Sequence, residues 1–204
     1  LDELISYAES VWTGNRDTRN AIALSHARSK IKLDNFRNTL RDVDAFPKGY
    51  GTTGIRVHRQ DIVEESCRQL QGLSAADLRQ NIRVTFIRED GYDEDGTDAG
   101  GLTSEWFDVL AQSMLDPKLG LFSDLDPKVS LGGVYPNQNS HARPNHLRLF
   151  EFFGKFVAMA VYHKQYLPAS FSPVFCKLIL GRPVNLEDME SFDVQTYRSM
   201  KEMQ

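Results

Sequence analysis

The sequence has 204 residues, of which 41% are hydrophobic and 25% charged, and its formal net charge at pH 7 is −4. This composition is typical of a globular protein, and no apolar run approaches the roughly 20 residues that a membrane-spanning helix needs. We therefore expect no membrane span. Because the excess of acidic residues gives no general attraction to phosphate backbones, we also expect no nucleic-acid partner.

The amino-terminal part of the chain favours helices. Apolar residues recur at helical spacing up to about Val43, with a break at Gly14-Asn15. Residues 44–54 contain Pro47 and three glycines and predict a loop, after which Ile55 to His58 predicts a short strand. We therefore expect a helical extension with a glycine-rich loop at 1–54 and a separate domain at 55–204.

Two helix starts and a strand are predicted next. Asp61 followed by Glu64, and Ser74 followed by Asp77, have the three-residue spacing of a capping box, in which each side chain bonds to the other residue's backbone amide. Apolar and polar residues then alternate over 82–87, which predicts a half-buried strand.

An acidic turn with a pair of glycines leads into an amphipathic helix that begins near Leu102. Asp98 lies where a carboxylate favours the positive end of that helix. Gly100 and Gly101 allow backbone angles or close approaches that a side chain would forbid. Asp116-Pro117 is expected to end the helix.

The remainder of the chain predicts a small hairpin and then three helices. Val129 and Leu131 before a glycine pair, with Val134 and Tyr135 after it, predict the hairpin. The helices are expected to begin with Pro144 in a first turn, at Ser170 or Ser172 with Pro173, and at Ser191, with the last one running to Gln204. On the second of these helices Val174, Phe175, Leu178 and Ile179 are expected to pack inward.

The two cysteines suggest neither a disulfide framework nor a metal site. Cys67 and Cys176 are far apart in sequence and lack paired metal-ligand spacing, which fits a reducing cytoplasmic or nuclear environment. Both lie on apolar faces of predicted helices, where burial raises a thiol pKa and lowers reactivity. We expect a structural role for both, with no cofactor.

Three other patterns have weak functional interpretations. Residues 49–54 match the letters of a dinucleotide-binding turn, but no strand precedes them and no helix follows. Six carboxylates crowd residues 89–98, yet in the calcium-loop pattern the first and last ligand positions would be Gly91 and Leu102, which carry no side-chain oxygen. His141 and His146 are five residues apart, which does not place two imidazoles on one helical face. No metal site is expected.

Four segments together resemble the amino-terminal lobe of HECT-type ubiquitin ligases. They match the family in order and spacing, and they comprise 57–70, 84–107, 136–162 and 180–191. The resemblance implies an α+β, mostly helical fold with small antiparallel β elements, the large subdomain of the lobe. It also singles out six polar or small positions, which we expect to be mainly architectural: Asp98, Gly100, Gly101, Glu105, Asn145 and His146. Asn145 and His146 are expected near a helix start, and Glu105 within a first turn.

The resemblance implies that the parent enzyme takes ubiquitin from a conjugating enzyme as a cysteine thioester and transfers it to substrate lysines. In the family that cysteine follows a threonine near the end of the protein, whereas here Cys67 follows Ser66 and Cys176 follows Phe175. The accepting cysteine is therefore expected beyond residue 204, as is the subdomain that docks the conjugating enzyme, so 55–204 would be a partial HECT domain that is inactive alone.

Some family members also bind a second ubiquitin noncovalently near the hairpin equivalent to residues 129–135, which makes Val129, Leu131 and Tyr135 candidate ubiquitin contacts. Gly132-Gly133 stands there in place of the family's usual aromatic and branched residues. The alternative function is a binding module for ubiquitin or substrate without chemistry. A small-molecule enzyme that uses the acidic turn is a third class.

Overall fold

The computed structural model describes residues 51–94, 100–124 and 132–203, together with the helical residues 28, 30–35 and 38. The chain divides into two compact units, Leu1–Lys48 and Gly49–Gln204. Every strand within the described residues lies in the second unit.

Two parallel strands form the first sheet. β1 (Thr52–His58) and β2 (Asn81–Ile87) pair in register from Thr52 opposite Asn81 to His58 opposite Ile87. Helices α1 (Ile62–Leu70) and α2 (Ala75–Leu78) connect them, as a parallel pair requires. Alternate side chains are buried, as predicted for β2: Ile55, Val57, Ile82, Val84 and Phe86. The expectation of antiparallel elements alone is wrong here, because the crossover brings the second strand back in the same direction.

β1 also begins three residues earlier than predicted. The glycines before Ile55 favoured a loop, but the Thr53 hydroxyl donates to the Asp77 carbonyl at 2.8 Å, and the strand's first residues pair with β2. These partners are distant in sequence, so the local pattern contains no sign of them.

Only one of the two predicted capping boxes forms. The Ser74 hydroxyl accepts from the Asp77 amide and the Asp77 carboxylate accepts from the Ser74 amide, which confirms the box that begins α2. At α1 the Asp61 side chain makes no capping bond. The prediction fails there because Glu64 pairs instead with the Arg143 guanidinium at 2.7 Å.

The acidic turn leads into α3 (Gly101–Leu115), which begins after Gly100 with a φ of +98°. Only glycine adopts such an angle without strain, which confirms the prediction for Gly100. At Gly101 an added Cβ would meet nothing within 4 Å, so no close approach requires that glycine. Asp116 ends the helix as predicted.

A second, antiparallel sheet joins β3 (Phe122–Asp124) to β4 (Val134–Pro136). The antiparallel partner of β4 within the described residues is therefore 122–124, and the predicted first strand of the hairpin falls outside them. Val129 and Leu131 lie outside the described residues.

The central helix α4 (His146–Tyr162) has an apolar face, but Leu147, which helical spacing places on that face, is 71% exposed, so the prediction is wrong there. Phe152, Phe153 and Phe156 are buried on it, and the rings of Phe107 and Phe156 stack at 5.4 Å. Pro144 lies before the N-cap Asn145 rather than in the first turn. Asn145 has a φ of +60°, a left-handed conformation that turns the chain into the helix.

The last three helices are α5 (Pro173–Ile179), α6 (Leu186–Phe192) and α7 (Val194–Glu202). Ser172 caps α5 as predicted, by accepting from the Phe175 amide. The single helix expected from Ser191 is wrong, because Asp193 is extended and its carboxylate caps a new helix by accepting from the Gln195 and Thr196 amides.

α5 buries less than its apolar sequence suggested. Val174 is buried and Phe175 packs against the core as predicted, but Leu178 and Ile179 are exposed, as is Cys176. The predictions of inward packing for Leu178 and Ile179 and of a buried Cys176 are therefore wrong. With 41% hydrophobic residues in the chain, some apolar positions remain on the surface.

The second unit is thus α+β and mostly helical, as expected in general form. Within the described ranges, no helix combines the length and the hydropathy that crossing a bilayer demands.

Candidate functional site

The second sheet places Tyr135, the one described member of the predicted ubiquitin contacts, beside a shallow apolar cavity. The Tyr135 ring lies 4.9 Å from the Phe192 ring and 6.0 Å from that of Phe175, measured between centroids. The cavity, about 210 Å³, lies between β4, α5 and α6, and is lined by Tyr135, Val174, Val184, Asn185, Asp188, Met189 and Phe192. It suits one apolar side chain of a partner.

The rim of this cavity is fixed by an ion pair between two helices. Lys177 Nζ lies 2.5 Å from Asp188 Oδ1, and this bond and the Asn185 amide lower the pKa of the Asp188 carboxyl. The ion pair connects α5 to α6 and holds the wall that faces Tyr135.

A close backbone approach positions β4. The Val134 amide donates to the Ser170 carbonyl at 2.7 Å, and the Ser172 amide donates to the Val134 carbonyl at 3.0 Å. A Cβ at Gly133 would lie 2.9 Å from the Ser172 nitrogen, and Gly133 has a φ of +97°. Glycine at position 133 thus has a local reason, because a Cβ there would collide with the backbone of residues 170–172.

A second cluster joins the two stems of the acidic turn. Arg59 Nε and Nη2 donate to the two carboxylate oxygens of Glu94 at 2.9 and 2.8 Å, and Nη1 donates to Glu105 at 2.7 Å. The Arg59 guanidinium also lies 3.9 Å from the centroid of the Phe86 ring. Residues 95–99, which include the predicted Asp98, lie between these stems and outside the described residues.

In the Arg59 cluster (Arg59, Glu94 and Glu105), one guanidinium pairs with both carboxylates. Its hydrogen bonds to Glu94 and Glu105 raise the pKa of Arg59 further above its usual value, and the bond from Arg59 lowers that of Glu94. Glu105 was predicted to lie in the first turn of α3, but it lies in the second turn. Because its charge is already paired, this predicted site residue supports the fold, and it does not offer an unpaired carboxylate for chemistry.

Asn145 and His146 do begin α4, as predicted. The Asn145 side chain forms no capping bond, and the His146 amide donates to the Arg143 carbonyl at 3.3 Å. Asn145 lies in the wall of a cavity of about 500 Å³ that also reaches Cys67.

The two cysteines occupy contrasting environments. Cys67 is only 3% exposed. Burial raises its pKa, although the nearby Arg148 guanidinium opposes the rise. A buried thiol with a raised pKa is a poor nucleophile, which agrees with the structural role predicted for Cys67. Cys176 is exposed on α5. Within the described residues, no three His, Cys, Asp or Glu side chains are grouped so that they could hold a metal ion.

Sequence reasoning missed the most connected charged residues of these sites. Arg59 and Glu94 are 35 residues apart, and Arg143 and Glu64 are 79 apart. Their pairing has no local signature in the sequence, since each of these residues alone looks like an ordinary charged residue on the surface. Only the parallel strand pair, which places the ends of β1 and β2 side by side, could have suggested that Arg59 lies near the acidic turn.

Sequence comparisons relate this chain to known proteins. Residues 108–204 match the family model described as HECT-domain (ubiquitin-transferase). The chain is 37% identical over 156 residues to "E3 ubiquitin-protein ligase RSP5" of Chaetomium thermophilum. This alignment covers 75% of the chain and 18% of that protein. It is 37% identical over 152 residues to "E3 ubiquitin-protein ligase pub1" of Schizosaccharomyces pombe, or 74% of the chain and 19% of that protein.

A third relative is "E3 ubiquitin-protein ligase TOM1-like" of Neurospora crassa, with 37% identity over 146 residues, or 72% of the chain and 3% of that protein. The matched part of the chain thus spans about a fifth or less of the length of these curated relatives.

Proposed function

Residues 108–204 of this chain belong to the HECT-domain (ubiquitin-transferase) family, and on that premise we propose that 55–204 is part of the scaffold lobe of a ubiquitin ligase. The whole protein accepts ubiquitin from a conjugating enzyme as a cysteine thioester and transfers it to substrate lysines. The identity of 36–37% to ubiquitin-protein ligases over about three quarters of the chain carries this proposal.

We further propose that neither cysteine of the chain accepts ubiquitin. Cys67 is buried with a raised pKa, and a thioester with the ubiquitin carboxyl terminus requires an exposed thiolate. Cys176 is exposed, but it follows Phe175, whereas the family resemblance puts the nucleophile after a threonine. The chain's contribution is then to hold the docking subdomain and the catalytic lobe in place.

A charging assay tests this assignment. The 204-residue chain is mixed with activating enzyme, a panel of charged conjugating enzymes and fluorescent ubiquitin, and the products are separated with and without reducing agent. We expect no adduct that reducing agent removes. A reducible adduct that disappears in Cys176→Ser or in Cys67→Ala would overturn the proposal, and the other variant would serve as its matched control.

The cavity beside Tyr135 supports a second role, noncovalent binding of ubiquitin. Tyr135 is half-buried and leans on Phe175 and Phe192, which leaves an apolar recess for a partner side chain. Val129 and Leu131 belong to the same proposal on the family resemblance alone. Apolar recesses with an aromatic wall are typical anchor points of protein interfaces.

Titration of ¹⁵N-labelled ubiquitin with the chain tests the second role. We expect saturable amide shifts on ubiquitin, and Tyr135→Ala should weaken the binding that causes them. The control variant Tyr166→Ala, at a tyrosine elsewhere that is 81% exposed, should leave the binding unchanged. Equal binding by the two variants would remove Tyr135 from the site. Thermal melts of both variants show whether the loss of Tyr135 also affects folding.

A further inference from the structure

Three arginines surround one cavity between α1 and the start of α4. The cavity encloses about 500 Å³, and its wall includes Arg68, Arg143 and Arg148. In a chain with a formal net charge of −4, this is a local concentration of positive charge. None of the residues that line it also lines the Tyr135 cavity.

Within the described part of the chain, two of the three arginines have a carboxylate partner, and the third, Arg148, does not. Glu64 pairs with Arg143 at 2.7 Å. The carboxylate that faces Arg68 is Glu65, at 3.8 Å, and it already accepts from the His58 amide at 2.7 Å. Among the described residues, no carboxylate lies within 4.0 Å of the Arg148 guanidinium, which faces the Cys67 thiol. Glu64 is the only acid among the described residues of the wall, so the lining has a formal charge of about +2.

The floor of the cavity is apolar. Leu149 is 6% exposed and Cys67 is 3% exposed, and both side chains line the cavity beneath the guanidinium groups. A ligand that fits must therefore combine an anionic head with an apolar stem. Guanidinium groups bind both carboxylate and phosphate through paired, charge-assisted hydrogen bonds. A phosphate monoester has three terminal oxygens to share among three arginines, whereas a carboxylate has only two.

We propose that this arginine cavity (Arg68, Arg143 and Arg148 above Cys67 and Leu149) binds a phosphate monoester carried on a side chain of a partner polypeptide. A phosphorylated side chain supplies both the dianionic head and the apolar stem. A membrane lipid headgroup is disfavoured, because the cavity wall holds three arginines, fewer than the roughly four to eight basic residues that are typical of lipid-binding clusters. The proposal does not depend on ubiquitin transfer.

The first test uses phenyl phosphate, inorganic phosphate and phenol with the ¹⁵N-labelled chain. We expect saturable amide shifts confined to 64–68 and 143–149, with phenyl phosphate tighter than inorganic phosphate and phenol silent. Arg148→Gln should weaken phenyl phosphate about tenfold or more, as expected for loss of a charge-assisted bond. Arg198→Gln, which removes one charge from exposed α7, should change the affinity less than twofold.

Three results would overturn the proposal. One is an unchanged affinity in Arg148→Gln and also in Arg68→Gln, a second variant at a 71%-exposed side chain that should leave the fold intact. Another is a set of shifts spread over all exposed arginines. The third is Arg148-dependent sedimentation with vesicles that contain phosphoinositide, together with no binding of a phosphotyrosine peptide, because this would assign the site to a lipid source.

Discussion

Replacing Gly133 with alanine isolates the backbone approach that positions β4 and Tyr135. Two costs are expected. A φ of +97° disfavours any residue with a Cβ, at about 1–3 kcal/mol. The added Cβ would also lie 2.9 Å from the Ser172 nitrogen and 3.1 Å from the Ser170 carbonyl oxygen, so the strand must move away.

That movement weakens the two hydrogen bonds between Val134 and residues 170 and 172, which are 2.7 and 3.0 Å long. Each contributes about 0.5–1.5 kcal/mol. Together with the conformational cost, the free energy of unfolding should fall by about 2–4 kcal/mol, which corresponds to a decrease in Tm of roughly 5–15 °C for a domain of this size.

Two other glycines provide matched controls. Gly181 has a φ of +62°, but a Cβ added there would meet nothing within 4 Å, so Gly181→Ala should lose only the conformational part, about 1 kcal/mol. Gly154 lies within α4 with neither constraint, and Gly154→Ala should be neutral or stabilising by up to about 1 kcal/mol. Urea unfolding at equilibrium measures all three. If Gly133→Ala costs no more than Gly181→Ala, the close approach to Ser172 does not exist in solution.

Arg59→Lys should lower stability by about 1 kcal/mol or less, because a lysine cannot bridge both carboxylates and the pairs are partly exposed. The loss should shrink in high salt, and Arg83→Lys, at an exposed position on β2, should show no such loss in urea titrations. Burial lowers the pKa of His163 despite the 2.8 Å bond to the Leu78 carbonyl. The unfolded chain therefore binds this proton more readily, so the stability that neutral His163 contributes is complete above about pH 6.5 and is lost as the pH falls toward the folded pKa. Urea midpoints from pH 7.5 to 5.5 should fall further for the natural chain than for His163→Gln, and parallel curves would exclude His163 as the cause.

Local sequence patterns predicted the elements whose stabilising contacts are themselves local. The box of Ser74 and Asp77 closes within three residues, and the Gly100 conformation serves the helix that follows at once. The apolar face of α4 was also predictable, because helical spacing alone determines which of its side chains share a face. These parts of the fold needed no knowledge of distant partners.

Several of the predictions that failed depend on contacts across the fold. The Asp61–Glu64 box was lost because Glu64 pairs with Arg143, 79 residues away. The start and direction of β1 depend on β2, and β4 pairs with 122–124 and contacts Ser170 and Ser172, so neither strand could be placed from its own residues. The exposure of Cys176 has a related cause, since an apolar helix face does not reveal whether the fold covers it.

The same difference between local and distant contacts applies to the proposed sites. Family resemblance selected Tyr135, Glu105, Asn145 and His146 by position, but it did not reveal their contacts. Glu105 is one arm of the Arg59 cluster, and the arginine cavity next to Asn145 combines two segments that are about 75 residues apart in sequence.

The central claim is that this part of the protein is a scaffold and does not supply the thiol that accepts ubiquitin. It is tested most directly with the protein expressed from its natural coding sequence, carrying Cys67→Ala and Cys176→Ser together. Charged with a conjugating enzyme, that variant should still form a ubiquitin adduct that reducing agent removes, in the same yield as the natural protein. Loss of the adduct from a variant that remains folded would contradict the account.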